Sequence, residues 1–308
     1  MKRTLLTILA VLLLFPCFAT RRALVIGIGE YPAASGWQKI NGDKDIPLVE
    51  KMLCANGFEK QNIVKLKNRQ ATYLAICCEL DRLIAKSQKG DIVYIHFSGH
   101  GQQITDLNGD EPEGRDEAWI PYDAKFKFEK GKYEGQCHLV DDQLYGYLHR
   151  LRQAVGATGK IIVVADACHS GDGSRSEDAE DKDAIRGTDM MFIIDNIQQT
   201  VEYLTSFIDK AKATFFNRNH ISSPQQKPLE WIYISACNAN QCNKEFSGHG
   251  SLTEALIQEM NSLKSLSVTA LRDRLIQFYK KNINNIRHMQ TPGIDCPKGG
   301  EKEIVLDK

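Results

Sequence analysis

Apolar residues fall along the chain in short unbroken runs, separated by longer stretches whose apolar positions recur every three or four residues. Ala23–Ile28, Asp91–Phe97, Lys160–Asp166 and Trp231–Ala236 are runs of the first kind. Each has the length of a strand, and each is too continuous for a sheet with one wet face. Asn62–Leu66 adds a shorter strand. Asp45–Asn56 (stopped by Gly57), Ala71–Lys86, Asp142–Val155 and Ser251–Asn261 carry the helical spacing. Strands buried on both faces and alternating with helices predict an α/β fold. Its central sheet is mostly parallel, with helices on both faces.

One stretch breaks the rhythm. Asp172–Asp189 is rich in charge and glycine and has no apolar period, so it reads as a surface linker. After it, Ile193/Ile194, Ile197, Val201, Leu204, Ile208, Ala211 and Phe215 recur at helical spacing and predict an amphipathic helix. At the other end, Met1-Lys2-Arg3 precedes the apolar run Leu5–Phe15 and the small-x-small pattern Cys17-Phe18-Ala19. That order predicts a signal peptide cut after Ala19 and an exported protein, periplasmic or secreted. No later segment is long and apolar enough to span a membrane. The expected organisation is a signal peptide over 1–19, a large part over 20–171, a charged linker and candidate processing loop over 172–190, and a smaller part of the same domain over 191–308.

Composition narrows the function classes. Of 308 residues, 42% are hydrophobic and 25% charged, which is globular and excludes fibrous or wholly disordered chains. Lys+Arg and Asp+Glu both total 39, so no basic nucleic-acid surface is expected. Eight cysteines follow the signal region, with no CxxC pair and no zinc spacing; which of them pair, if any, is left open by spacing.

Two turns carry chemistry. Ser98-Gly99-His100-Gly101 and Asp166-Ala167-Cys168-His169-Ser170-Gly171 each end an apolar strand, and ligand sites of parallel sheets form at the carboxyl ends of strands. Adjacent strands would set Cys168 beside His100, an imidazole able to take the thiol proton. The flanking glycines let a peptide backbone approach. His169, directly after Cys168, is the competing base. Asp106-Leu107-Asn108-Gly109-Asp110 resembles the start of an EF-hand, but Glu111 stands where that loop needs glycine.

SGHG at 98–101 and DACHSG at 166–171, in this order, resemble a caspase-type cysteine peptidase, closer to the metacaspase branch of family C14 than to animal caspases. The likeness extends over GDIVYIHFSGHGQQ, DLNGDEPEGRDEAWIPYD, LVDDQL and the small-subunit-like ISACNANQ and GSLT. It implies a caspase–hemoglobinase three-layer fold and a Cys168/His100 dyad with no obligatory third member. It also implies an oxyanion held by the backbone N–H groups of Cys168 and Gly101, with polypeptides as substrates. Asp166 and Ser98 stand two residues before the dyad members and so share their strand faces. With Asp45, the best match to a further metacaspase acid, and Ser235, they make an expected substrate pocket. Its acidity implies cleavage after Arg or Lys; the competing role for Asp45 is a helix cap. No cofactor is required by the resemblance. Calcium is implied as an activator, on Asp116, Asp141, Asp142 and Asp172, against the alternative of a solvated acidic face. Monomers and self-processing at Arg175, Lys182 or Arg186 complete the expectation. Alternatives are a gingipain- or clostripain-like peptidase with the same dyad, and a non-catalytic binding module.

Overall fold

The computed structural model describes residues 19–109, 111, 114–169, 184–194, 229–238, 241–262, 265–285 and 289–307. The chain opens with β1 (Arg21–Gly27), α1 (Gly42–Ala55), β2 (Ile63–Lys67), α2 (Tyr73–Lys86) and β3 (Ile92–Ser98). Three short strands follow, β4 (Gly101–Thr105), β5 (Arg115–Trp119) and β6 (Leu139–Val140), then α3 (Asp141–Val155) and β7 (Lys160–Asp166). The remainder holds β8 (Ile232–Ser235), β9 (Glu245–Phe246), β10 (His249–Gly250), α4 (Ser251–Ser262), β11 (Ser265–Ser267), α5 (Val268–Asn282), β12 (Gly293–Asp295) and β13 (Ile304–Asp307).

Six strands form the central sheet in the order β12-β8-β7-β3-β1-β2. All neighbours pair in parallel except β12, which runs antiparallel to β8. The alternation of strand side chains explains the unbroken apolar runs. Ala23 and Val25 point into a core with Val49, Leu53, Leu256 and Leu271 of α1, α4 and α5. Leu24 and Ile26 point into a core with Leu80, Leu83, Leu148 and Leu151 of α2 and α3. The inner strands β1 and β7 thus carry apolar runs that serve both faces, while the edge strand β2 exposes Lys65 and Lys67, and the expected three-layer α/β architecture is present.

The expected elements are found with shifted ends. The helix expected from Asp45 starts at Gly42, which puts Asp45 inside its first turn. Its neighbour Asn41 makes no side-chain cap there and instead donates to Glu245. The antiparallel sheet β4-β5-β6 was not legible, since its strands alternate polar and apolar residues over only a few positions.

The larger difference lies in the charged segment. Residues 170–183, with Arg175 and Lys182, lie outside the described residues, but 184–194 do not form a solvated linker. Arg186 is fully buried, and Phe192 pairs alongside Ile104 of β4. The helix expected from Ile193 does not begin there. Phe192 and Ile194 are buried while Ile193 is 60% exposed, a period of two that marks extended chain; the rest of that expected helix lies outside the described residues.

All eight cysteines after the signal region are free thiols. Among the described residues no helix is long and apolar enough to cross a membrane.

Candidate active site

Strands β3 and β7 are neighbours with Ser98 opposite Asp166. His100 and Cys168 each lie two residues beyond that pair, so the two turns leave the same edge of the sheet side by side. Both residues are buried. His100 Nε2 donates to the Gln38 carbonyl at 2.9 Å. A carbonyl only accepts, so the ring proton sits on Nε2 and Nδ1 carries the lone pair. Among the described residues Nδ1 has no hydrogen-bond partner. Burial lowers the His100 pKa to about 4, which keeps the ring neutral at neutral pH with its Nδ1 lone pair unprotonated. Trp37 stacks on it at 4.8 Å between centroids, and Tyr31 accepts from its backbone N–H at 3.1 Å.

The Cys168 thiol donates to the Gln241 carbonyl at 2.6 Å, and Cys237 donates to the same oxygen at 3.2 Å. Hydrogen bonding to Cys168 together with burial pushes the Cys237 thiol well above its ordinary range. Cys237 therefore stays protonated beside the Cys168 sulfur. His169 is drawn off: its Nδ1 pairs with Glu117 at 3.1 Å. Although burial disfavours a charged ring, that carboxylate raises the His169 pKa.

The expected oxyanion donors converge on one atom. The backbone N–H of Cys168 donates to the carbonyl of Arg186 at 2.9 Å, and that of Gly101 donates to the same oxygen at 3.3 Å. The Arg186 side chain enters an acidic pocket behind them. Its Nη1 lies 2.8 Å from Asp45 and 3.7 Å from Asp166. Nε and Nη2 reach Glu245 at 3.1 and 2.9 Å. Ser98 bridges, donating to Asp45 and accepting from Arg186. Burial alone would lower the Arg186 pKa, but the three carboxylates raise it. Burial alone would likewise raise Asp45, but Arg186, with hydrogen bonds from His249 and Ser98, holds it at about 2. Asp166 is itself fixed by Asn243 at 2.7 Å and by the Thr253 N–H and hydroxyl at 2.7 and 2.6 Å.

The caspase-domain family profile matches residues 20–298, nearly the whole described fold. The chain belongs to that family, C14 of the cysteine peptidases. Similar proteins include metacaspase-1 of Schizosaccharomyces pombe, 22% identical over 91% of this chain and 68% of its own length. Metacaspase-1A of Aspergillus fumigatus is 26% identical over 91% of this chain and 69% of its own length. Metacaspase III c of Phaeodactylum tricornutum is 32% identical over 49% of this chain and 43% of its own. A crystal structure of a protein from Geobacter sulfurreducens superposes with a TM-score of 0.59 at 21% identity, over 92% of this chain and 97% of that one, and shows the same fold.

Within this caspase-domain site, Asp45, Ser98 and Asp166 come together as expected, and Asp45 does not cap its helix. Ser235 ends β8 against Gly293 and is not among the groups that hold Arg186. Asp116 is a buried residue of β5, while Asp141 and Asp142 open α3 after Val140, the residue at its cap. Desolvation and the charges of Asp142 and Glu117 raise the Asp141 pKa, a like-charge crowding that a bound cation would relieve. Yet among the described residues no three or more His, Cys, Asp or Glu side chains are gathered to hold a metal; Asp172 lies outside them.

Sequence reasoning missed Glu245, the Gln38 carbonyl, Trp37 and Gly250. A Cβ on Gly250 would stand 2.0 Å from Asp166 Oδ2 and 2.4 Å from Arg186 Nη1, so only glycine leaves the pocket open. Glu245, Gln38 and Trp37 carry no local motif, and Gly250 opens the GSLT stretch without any sign there of its place against Arg186. Glu245 in particular sits far along the chain from Asp45 and is brought to it by β9 and β10 pairing over α1.

Proposed function

We propose that this protein is an exported cysteine endopeptidase that cuts after Arg or Lys with a Cys168/His100 dyad, and that it processes itself at the Arg186–Gly187 bond. The observation that carries the reading is the pose of Arg186: its carbonyl oxygen meets two backbone N–H groups while its guanidinium lies among three carboxylates. Residues before the bond pair with the strand region that follows Cys242. The Arg186 N–H donates to the Asn243 carbonyl at 2.8 Å and the Glu245 N–H to the Ala184 carbonyl at 2.9 Å. This is how an extended substrate adds to a sheet edge.

The chemistry follows from these positions. The Cys168 thiol turns from the Gln241 carbonyl and gives its proton to His100 Nδ1 as sulfur bonds to the scissile carbon. Negative charge that develops on the carbonyl oxygen is held by the N–H groups of Cys168 and Gly101. The intermediate collapses by breaking the C–N bond, and His100 passes its proton to the departing amine. Water, deprotonated by His100, then hydrolyses the thioester and restores the thiol. Gln38 holds the ring in the tautomer these steps need. A Cβ on Gly187 would lie 2.2 Å from the Cys168 carbonyl oxygen, so glycine is favoured directly after the cut.

Export is supported by the start of the fold. The Thr20 backbone nitrogen donates to Asp91 at 2.9 Å, and a cut after Ala19 would turn it into an ammonium facing a buried carboxylate. Calcium as an activator at the expected Asp116, Asp141, Asp142 and Asp172 rests on the like-charge crowding at Asp141, where a dication would supply charge neutralisation. Intact-mass and N-terminal analysis of purified protein tests self-processing. The expected new N-terminus is Gly187, absent from Cys168→Ala; a first cut elsewhere, or the same cut in Cys168→Ala, would remove the proposal.

A further inference from the structure

The bond at Arg186 is gripped on the far side as well, by a feature the dyad and the acidic pocket do not explain. Beyond Gly187 the chain runs along β4. The Phe192 N–H donates to the Gln103 carbonyl at 2.8 Å, and the Thr105 N–H returns to the Phe192 carbonyl at 3.1 Å. The Ile194 N–H donates to the Thr105 hydroxyl at 3.0 Å, and Gln102 Nε2 donates to the Met190 carbonyl at 2.8 Å. The Phe192 ring, 1% exposed, lies in an aromatic box: His138 at 4.5 Å, Tyr133 at 5.8 Å and Phe128 at 6.1 Å between centroids. The box is braced by polar contacts of its own. Tyr133 bonds His138 at 2.9 Å, and His138 bonds Gln102 at 3.0 Å, so the amide that holds Met190 is oriented by the residues that enclose Phe192.

We propose that the β4 edge and this aromatic box form a docking subsite for chain on the leaving-group side of the cut, with residues 187–194 as its occupant and Phe192 as the anchor that holds Arg186–Gly187 in register with Cys168. The ligand class is an extended segment with an aromatic residue a few positions after the cleaved bond. Backbone pairing to β4 sets direction and register, and the box selects the side chain, the division of labour usual for strand addition. Two separated grips then fix one bond in the cleft. Pairing to 243–245 alone leaves the leaving-group side unheld.

The inference rests on the proposed function for its meaning, so its test is run where that activity is absent. In the full chain carrying Cys168→Ala, trypsin should leave Arg186–Gly187 uncut while exposed sites are cleaved. Adding Phe192→Ala should expose that bond at least about tenfold faster, because cleavage follows the population of the locally opened form. Cleavage after Arg152, whose guanidinium is bound by three carbonyls, reports global unfolding and should not change. If it does, Phe192→Leu, which keeps most of the apolar volume, decides: faster release of Arg186 with Arg152 still protected supports the anchor. Equal protection of Arg186 with and without the Phe192 side chain overturns the proposal. In the chain with Cys168 intact, Phe192→Ala should lower the yield of the Gly187 terminus relative to turnover of short peptides that lack a leaving-group side. Loss of all peptide turnover in the unmutated chain would instead sink the peptidase reading, and the trypsin result would stand apart from it.

Discussion

Arg186→Ala, made in the Cys168→Ala chain so that no bond is cut, is expected to destabilise the fold by about 3–5 kcal/mol at pH 7. Among the described residues it contributes the one guanidinium that meets Asp45, Asp166 and Glu245, all of them buried. Removing it leaves three like charges in a site shielded from water, with only the partly exposed His249 beside Asp45 to offset them. The dependence on pH fixes the interpretation. With Arg186 present, Asp45 is held at about 2, below its ordinary 3.8. It contributes stability that is present above that ordinary value and lost as pH falls through the folded one. Without Arg186, burial is left to raise Asp45, so the folded variant takes up a proton there that the unfolded chain releases. The deficit should therefore shrink as pH falls from 7 toward 4. Arg186→Lys should recover part of the loss, since a point charge satisfies the pocket without the paired N–H contacts to Glu245 Oε1. Urea unfolding at pH 7 and pH 5 measures both effects. A variant within about 1 kcal/mol of its parent at pH 7, where a broken buried pair costs several times that, would mean that the pocket does not depend on its arginine.

Acid should unfold this protein early, and histidine is the cause. His96, His100 and His138 are buried, and burial lowers their pKa values to about 4, 4 and 3 from an ordinary 6.5. Between about pH 6.5 and 4 the unfolded chain binds protons at these positions that the folded chain refuses, so stability falls as pH falls. Three such groups give a slope approaching 4 kcal/mol per pH unit, and roughly 5 kcal/mol lost between pH 7 and pH 5. His169 and His249 are shifted the other way, upward, by Glu117 and Asp45. They bind protons more readily in the folded state, so they return a little stability just below neutrality and contribute no slope once both states are protonated. Chemical denaturation of the Cys168→Ala chain from pH 7 to pH 5 gives the slope directly. A flat profile would show that these rings are not held neutral.

Particular residues show how far the sequence could be read. The parallel sheet was legible because Ala23–Ile28 and Lys160–Asp166 are apolar at every position, a pattern that burial on both faces demands. The side-by-side placement of Cys168 and His100 was legible because each follows an apolar strand in a glycine-flanked turn, and those two strands pair. Asp45, Ser98 and Asp166 gathered as expected because β3 and β7 pair with Ser98 opposite Asp166, while α1 sets Asp45 in its first turn within reach of Ser98. Glu245 could not be read, since a two-residue strand leaves no periodic trace and only tertiary pairing brings it to Arg186. The segment around Arg186 was misread for a physical reason. Charge density argues for solvent unless a buried complement exists, and the complement is assembled from three distant elements. Ile193 and Ile194 lent themselves to a helical period, whereas pairing to β4 imposes a period of two.

The most direct measurement of the central claim is peptidase activity of residues 20–308 on matched fluorogenic peptides ending in Arg, Lys or Asp, with calcium or with chelator, and with Cys168→Ala as the blank. Cleavage after Arg and Lys is expected, with the Asp peptide uncut and the mutant slower by at least about 10⁴-fold. Cleavage after Asp, activity that survives Cys168→Ala, or no cleavage even once the Arg186–Gly187 bond has been opened would contradict it.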